Sequence, residues 1–451
     1  MAEIIPFQGI LYNTEKIENI SDVVTPPYDV ISDKERDAFY ERHPNSAVRL
    51  DKGKPAATDT DQDNPHTRAA AYFQSWLNDG ILIEDADPAL YLTSVKFNVA
   101  DEPVTRFGLI ARVRLEPFEK NIILPHETTF SKVKTERFEL IKACNANFSQ
   151  IFSIFSDQTN IIGLLTSCVE NSAPVFDFND DADHQHKLWR ITDPSILQKV
   201  SDAFKDKKLF IADGHHRYET ALNYKKWLIG KNPDFSADHP ANYTMMYLCS
   251  IQDPGLVILP THRLLTKISK ETQNDFLQKA ESFFDIEKHA LDPADTSNPA
   301  DTSNLASAQK QLDQAMTIAP GEHKFGVFFK NRQEFYVFKL KSGVMDDVFS
   351  SDIEASLKEL DVIILTRLIF VKLLGFDDAM LDDHDLINFT SKKIDAISAA
   401  MTGTHDMAFI LNPTTNEQVT QIAEKGLIMP RKSTYYFPKA ISGQVMRSLK
   451  P

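Results

Sequence analysis

Cysteine is scarce in this chain. There are three, Cys144, Cys168 and Cys249, far apart and without Cys-x-x-Cys spacing. That excludes a disulfide framework and a thiolate zinc site, and leaves them as small buried apolar residues. Long apolar runs are missing as well, since none approaches the roughly 20 residues needed to span a bilayer. The opening Met1-Ala2-Glu3-Ile4-Ile5-Pro6 has no basic stretch followed by an apolar core, so the expectation is a cytoplasmic protein with no membrane partner. Positive charge is also short: 49 Lys and Arg stand against 64 Asp and Glu, a net charge of −15. Such a chain is repelled by nucleic acid and by acidic membrane surfaces, which disfavours DNA as a partner and makes local basic clusters stand out.

What is present is an ordinary globular composition, 42% hydrophobic and 25% charged over 451 residues. That length exceeds what one core usually holds, so two or three subdomains are expected.

The most informative stretch is Lys208 to Leu222. Leu209 to Ala212 is a short apolar run with the character of a buried strand, Asp213-Gly214 breaks it, and from Tyr218 to Ile229 apolar residues recur at helical spacing. A strand-to-helix turn leaves backbone N–H groups unpaired and adds the positive end of the helix dipole, so an anion finds donors aimed at it. Gly214 lets the backbone come close, and His215, His216 and Arg217 add donors, the arginine able to grip two phosphate oxygens. Asp213 does not suit a bare anion site. Its presence points to Mg²⁺ coordination or to a base acting on a hydroxyl that attacks phosphorus. The bland alternative is a turn dipeptide with Asp213 capping the helix and the cations in water.

Further stretches carry weaker signals. Pro26-Pro27-Tyr28-Asp29 presents Tyr28 and Asp29 from a stiff extended loop, followed by a Ser32 to Glu35 capping box. Asp51 to Pro65 reads as an exposed loop, a helix is expected over Thr67 to Asn78, and Leu90 to Val99 with Thr105 to Leu115 as a hairpin turning at Ala100 to Pro103. Pro125-His126-Glu127-Thr128 offers a proton-transfer or metal-binding pair. It precedes a helix whose first turns carry Lys132, Lys134 and Arg137, where the dipole disfavours cations unless something negative is bound. His184-Gln185-His186 has a spacing found in metal sites, but it lies among Asp177, Asp180, Asp181 and Asp183 in what reads as a solvated loop, and no metal is expected there. Pro260-Thr261-His262-Arg263 ends a buried strand, where ligands are often met. Pro-Ala-Asp-Thr-Ser-Asn occurs twice between Pro293 and Asn304 and reads as a linker or insertion. Leu357 to Leu374 reads as one apolar helix ended by Gly375, packed in the core or at a dimer contact, so a homodimer is open. In Met429 to Lys439, Arg431, Lys432, Ser433 and Thr434 are phosphate donors, and Tyr435, Tyr436 and Phe437 are rings for a base.

Five of these stretches together, Pro26 to Asp29, Pro125 to Thr128, Asp213 to Arg217, Pro260 to Arg263 and Met429 to Thr434, resemble the bacterial family known as domain of unknown function 1015. That family is similar to the ParB/sulfiredoxin-like superfamily and, within it, to the free-serine kinases. The resemblance implies an α+β fold of mixed sheets and helices, with a ParB/sulfiredoxin-like core and a C-terminal α+β subdomain. The expected division is an N-terminal α+β segment over residues 1–150, the core over 151–290, a linker or insertion over 291–306 and the C-terminal subdomain over 307–451. It implies a phosphotransferase working between ATP or ADP and a small hydroxyl compound, serine or O-phosphoserine, with Mg²⁺. Gly214, His215, His216, Arg217, Lys432, Ser433 and Thr434 would hold phosphate, Asp213 would meet the hydroxyl or the metal, and Tyr28, His126, His262 and Arg263 would meet substrate. The glutamate base of those kinases has no aligned counterpart; Glu127 is the candidate, with Asp29 behind it. A nucleotide-binding regulatory protein and a metal-dependent hydrolase built on His126, Glu127, Asp213, His215 and His216 are the alternatives.

Overall fold

The computed structural model describes residues 2–99, 102–127, 131–232, 234–291 and 302–451, with side chains from 133 and 303 onward in the helices that open at Ser131 and Thr302. The chain is α+β, and it divides into two units: Met1–Val257 with Tyr436–Pro451, and Ile258–Tyr435. The boundaries at 150 and 290 drawn from the sequence cut across these units.

Unit 1 is built on a mixed sheet. Across it lie Ile123–Leu124, Leu209–Asp213, Ile151–Phe155, Tyr243–Ser250, Glu102–Arg114, Leu90–Val99, Gln185–Ile191 and Phe176–Asn179, and Ile4–Ile5 pairs with Glu102–Arg114. Leu209–Asp213 is parallel to Ile123–Leu124, and Ile151–Phe155 to Tyr243–Ser250, while the other neighbours are antiparallel. Central strands buried on both faces read as continuous apolar runs. Leu209, Ile211, Leu248 and Ile154 are fully buried, each contributing about 1.5–3 kcal/mol of transfer free energy.

The helices begin where side-chain caps satisfy their first N–H groups. Ser32 and Glu35 form the expected capping box before Asp33–Arg42, and Asn64 caps Pro65–Asn78, whose proline occupies a first-turn position where no N–H is needed. The hairpin Leu90–Val99 with Glu102–Arg114 forms as expected; Ala100 and Asp101 of its turn lie outside the described residues. Helices Ser131–Cys144 and His215–Lys231 pack together.

The last residues of the chain are built into unit 1. Ser442 exchanges backbone hydrogen bonds with Thr25, Met446 with Ile10, and the buried Arg447 donates to the carbonyls of Tyr243 and Pro240. These carbonyls accept hydrogen bonds from its guanidinium and so offset the cost of burying it.

Unit 2 carries an antiparallel sheet in the order Phe284–Ala290, Glu334–Leu340, Lys324–Phe329, Met407–Ile410, His262–Leu265, Ile387–Thr390. One face holds Phe325, Phe338 and Phe409 against Ile364, Leu365 and Ile369; the other holds Phe328, Phe335 and Ile410 against Leu312, Ile397 and Ala400. The expected single helix Leu357 to Leu374 is broken. Ala355–Lys358 and Asp361–Ile363 are separate α turns, and Ile364–Leu373 is π-helical, with its apolar residues in the unit 2 core. Gly375 stops it at φ 76°, as expected. Of the expected linker, residues 292–301 lie outside the described residues. Thr302 to Asn304, the end of the second repeat, instead opens the helix Thr302–Ala315, where Asn304 is buried. Among the described residues no helix is long and apolar enough to cross a membrane.

Candidate active site

Asp213 is the last residue of its strand, just past an irregularity in the pairing with Ile151–Phe155, and Gly214 follows at φ 91°, ψ 27° as the residue before the helix His215–Lys231. A side chain at Gly214 would be strained by the left-handed backbone, and its Cβ would stand 2.9 Å from Arg217 Nε. Glycine is therefore required twice, for the turn and for the arginine folded back over it.

Arg217 donates from Nη2 to Asp213 Oδ2 at 2.6 Å and from Nη1 to the Gln150 carbonyl at 2.6 Å. The other Asp213 oxygen accepts from Lys439 of the C-terminal segment. Burial alone would raise the Asp213 carboxyl, but Lys439 and then Arg217 outweigh it and hold the group well below the usual carboxylate range. Gly214, not Asp213, is the residue before the helix, and His215 is buried rather than in water, unlike the turn-dipeptide alternative. Nor does Asp213 suit direct magnesium coordination, because each of its oxygens already faces a cation.

His126 and His215 form the inner wall. The His126 backbone N–H donates to His215 Nε2 at 3.3 Å, and the rings meet edge to face at 4.7 Å. Burial pushes the His126 imidazole down to about 4, and burial reinforced by His126 pushes His215 well below its ordinary value. Both are neutral at pH 7, and His215 Nε2 is an acceptor, so only its Nδ1 is left to serve a phosphate. His216 follows, half-buried, in the first helical turn, and Glu127, also half-buried, follows His126; Thr128 lies outside the described residues.

A second arginine comes from the neighbouring helix. Arg137, buried, donates to Asp51 Oδ1 at 2.9 Å and to Glu136, and its guanidinium lies 4.0 Å from the centre of the Tyr28 ring, with Arg217 at 6.0 Å from the same ring. Asp51 also accepts from Ser442 Oγ at 2.8 Å. Lys52 holds the Tyr28 carbonyl at 3.1 Å. Burial raises the Tyr28 hydroxyl above its ordinary value, so it stays protonated. Asp29 next to it is exposed, and its charge stabilises protonated Arg217. A cavity of about 50 Å³ opens between Arg137 and Arg217, lined also by Asp51, Ser149 and Thr220, and among the described residues the buried Thr220 Oγ1 and Arg217 Nε have no hydrogen-bond partner.

Several expectations are corrected. Of the cations expected to want an anion at the start of the Ser131–Cys144 helix, Lys134 pairs with Glu219 at 2.6 Å and Arg137 with Asp51 and Glu136, and the side chain of Lys132 lies outside the described residues. Asp51 is not an exposed loop residue but the buried end of the short helix Val48–Asp51. Tyr436 is fully buried against Phe152, and Phe437 packs on Phe97 and His184, so neither ring is free to take a base. Sequence reasoning misses Asp51 and Lys439 as site residues, and it marks Arg137 as a cation awaiting an anion without finding its partner Asp51. A signal for Asp51 exists in the apolar Ala47, Val48 and Leu50 just before it; Lys439 has none.

His262, Arg263, Lys432, Ser433 and Thr434 belong to unit 2. His262 is fully buried, accepts from the Leu411 N–H at 3.3 Å and is pushed down to about 3 by burial. Arg263 donates to the Lys432 carbonyl at 3.0 Å and to Thr261, and Ser433 donates its hydroxyl to the Pro430 carbonyl. The two motifs thus meet, but the Ser433 hydroxyl is committed to its own loop. Among the described residues the one trio of histidine, cysteine or carboxylate side chains placed to share a metal ion is Asp180, His184 and His186. The five residues of the hydrolase reading, His126, Glu127, Asp213, His215 and His216, form no such group among the described residues.

No curated protein matches this chain at a significant level. Among solved structures it is similar to a mutant free serine kinase in complex with AMP, at 12% identity and TM-score 0.34, covering 74% of this chain and 89% of that one. It is also similar to a conserved hypothetical protein from Pyrococcus furiosus, at 12% identity and TM-score 0.34 over 76% and 95% of the two chains. A third is C-terminally truncated SbnI from Staphylococcus aureus, at 10% identity and TM-score 0.34 over 74% and 86%. So low a TM-score supports no transfer of function. The family described as "Protein of unknown function (DUF1015)" matches residues 4–363, well over half of the sequence, and the chain belongs to that family.

Proposed function

We propose that this protein is a phosphotransferase that moves a phosphoryl group between a nucleotide, ATP or ADP, and a small hydroxyl substrate, serine or O-phosphoserine. The carrying observation is the pair of guanidinium groups, buried Arg137 and largely buried Arg217, that face one small polar cavity beside the mouth of the His215–Lys231 helix. The strand, glycine turn and helix correspond in this reading to a ParB/sulfiredoxin-like core.

Phosphoryl transfer asks mostly for positioning and charge neutralisation. The helix-start N–H groups after Gly214, with His216 and the Nδ1 of His215, receive phosphate oxygens, and Arg217 Nε, buried and without a partner among the described residues, is a further donor. Asp213 does not act as a base, because Lys439 and Arg217 stabilise its charge; it fixes Arg217. The acceptor oxygen forms a new bond to phosphorus as the bond to the nucleotide oxygen breaks, and its proton passes to Glu127 or Asp29. A magnesium ion, if it enters with the nucleotide, is not held by Asp213, and no step here depends on it. In unit 2, Lys432 and Thr434 are assigned to ligand contact, and His262, Arg263 and Ser433 to holding their loop.

The test is phosphorus NMR of the full chain with Mg²⁺ and, in turn, serine with ATP, serine with ADP, and O-phosphoserine with ADP. New phosphomonoester or nucleotide resonances that vanish in R217A support the proposal, and E127Q and D29N then identify the base. Nucleotide binding with no change in any resonance favours a regulatory protein, a reading motivated by the two cations already held on Asp213.

A further inference from the structure

We propose that Asp180, His184 and His186 form a binding site for a divalent transition metal of the zinc class, independent of the phosphotransfer site. These residues lie on the hairpin between Phe176–Asn179 and Gln185–Ile191, where His186 is paired with Phe178. The segment expected to be a solvated loop is an ordered turn: Asp183 takes φ 59°, the Asp183 N–H donates to the Asp180 carbonyl at 3.0 Å, and the Asp180 N–H donates to the His184 carbonyl at 3.0 Å.

The turn sorts its four carboxylates. Asp177 pairs with Lys187 and accepts from Gln185, Asp181 pairs with Arg42, and Asp183 accepts from Asn179. Asp180 is the one that faces the imidazoles. Its Oδ1 is anchored by the N–H groups of Ala182 at 2.9 Å and His184 at 3.0 Å, which leaves Oδ2 directed at His184 Nδ1, 3.1 Å away, and His186 Nε2, 2.9 Å away.

All three donor atoms lie within 4.8 Å of one another. A tetrahedral ion with bonds of about 2.0–2.1 Å holds its donors roughly 3.3 Å apart, close to the 3.1 and 2.9 Å at which Asp180 Oδ2 already stands from the two nitrogens. The rings are already oriented: His186 stacks on Phe178 at 5.3 Å, and His184 meets Phe97 at 6.0 Å and Phe437 at 5.5 Å, edge on. Pre-set rings and a backbone-anchored carboxylate are what a metal site needs around its ligands. Two imidazoles and one carboxylate suit zinc, cobalt or nickel, whereas magnesium and calcium take oxygen donors. A fourth position remains for water. The Gln185–Ile191 strand is five strand steps from Leu209–Asp213 in the sheet order, roughly 24 Å at about 4.8 Å per step. The ion would therefore clamp the far edge of the sheet and take no part in chemistry at Asp213.

The test uses the full chain stripped with chelator and titrated with Co²⁺ and with Zn²⁺. The expected result is one equivalent bound, with a visible cobalt spectrum of four- or five-coordinate nitrogen and oxygen ligation and no thiolate charge-transfer band. D180N and H186Q should weaken binding by about 100-fold or more, beyond the 10–100-fold typical of losing an outer partner, while H384Q, at an exposed histidine of unit 2, leaves it unchanged. Absence of a stoichiometric site in the wild type, a thiolate band, or unchanged affinity in folded D180N and H186Q overturns the proposal. If those variants do not fold, the wild-type cobalt spectrum and stoichiometry decide alone.

Discussion

Lys439 donates to Asp213 across 226 residues of sequence, and Arg217, one helical turn beyond Asp213, holds the other oxygen of the same carboxylate. The closing segment of the chain thereby completes the charge balance of the turn. Two cations on one buried carboxylate leave a net positive charge, which is the sign a phosphate requires.

Because this cluster is buried, removing one partner leaves a charge without compensation. K439M should lower the unfolding free energy by about 3 kcal/mol, at the low end for a broken buried pair because Arg217 remains. Urea unfolding measures it, and a loss below about 1 kcal/mol, the range of exposed pairs, would show that the pair is not buried in solution.

The depressed Asp213 carboxyl gives stability a defined pH dependence. A carboxyl with a lowered folded value contributes stability that is fully present above its unfolded value of about 3.9 and is lost as pH falls through the folded value. The urea midpoint of the wild type should therefore fall more steeply below about pH 4 than that of D213N. Parallel curves would contradict the assignment.

The His126 and His215 pair acts at higher pH. Folded His126 titrates at about 4 and the unfolded residue near 6.5, so the unfolded state binds more protons between those values and stability rises with pH across that window. The span corresponds to roughly 3 kcal/mol for His126. H126Q should flatten the unfolding profile between about pH 4 and 6.5 while leaving the steeper loss at lower pH.

At the turn itself, G214A puts a Cβ against Arg217 and forces an L-residue into the left-handed region, at a cost of about 1–2 kcal/mol before any clash. R217K keeps the charge but cannot reach both Asp213 and the Gln150 carbonyl. Both variants should lose nucleotide binding by more than tenfold in calorimetry while retaining a cooperative thermal transition.

In unit 2, Arg263 ties the Met429 to Thr434 loop to the sheet through the Lys432 carbonyl while its guanidinium sits 4.9 Å from the centre of the Phe389 ring. R263A removes that tie and leaves buried carbonyls short of a donor, a loss of about 1–3 kcal/mol. Limited proteolysis should then cut near Lys432 first.

The sequence by itself determined the local pieces. The apolar run Leu209 to Ala212, the Asp213-Gly214 break and the helical spacing after it specify strand, turn and helix, because periodicity, glycine and end caps act within a few residues. It also determined that a charged turn at a helix mouth needs explaining. Only the tertiary structure decided which charges meet. Lys439, Asp51 and Arg137 come from distant stretches of the chain, and Tyr436 turns inward although its neighbours suggested a ligand face. His184 and His186 gained a third donor when the turn brought Asp180 back onto them. The physical reason is common to all of these: whether a polar side chain reaches a ligand or a neighbour is settled by burial and by partners supplied through long-range packing, and spacing along the chain holds no record of either.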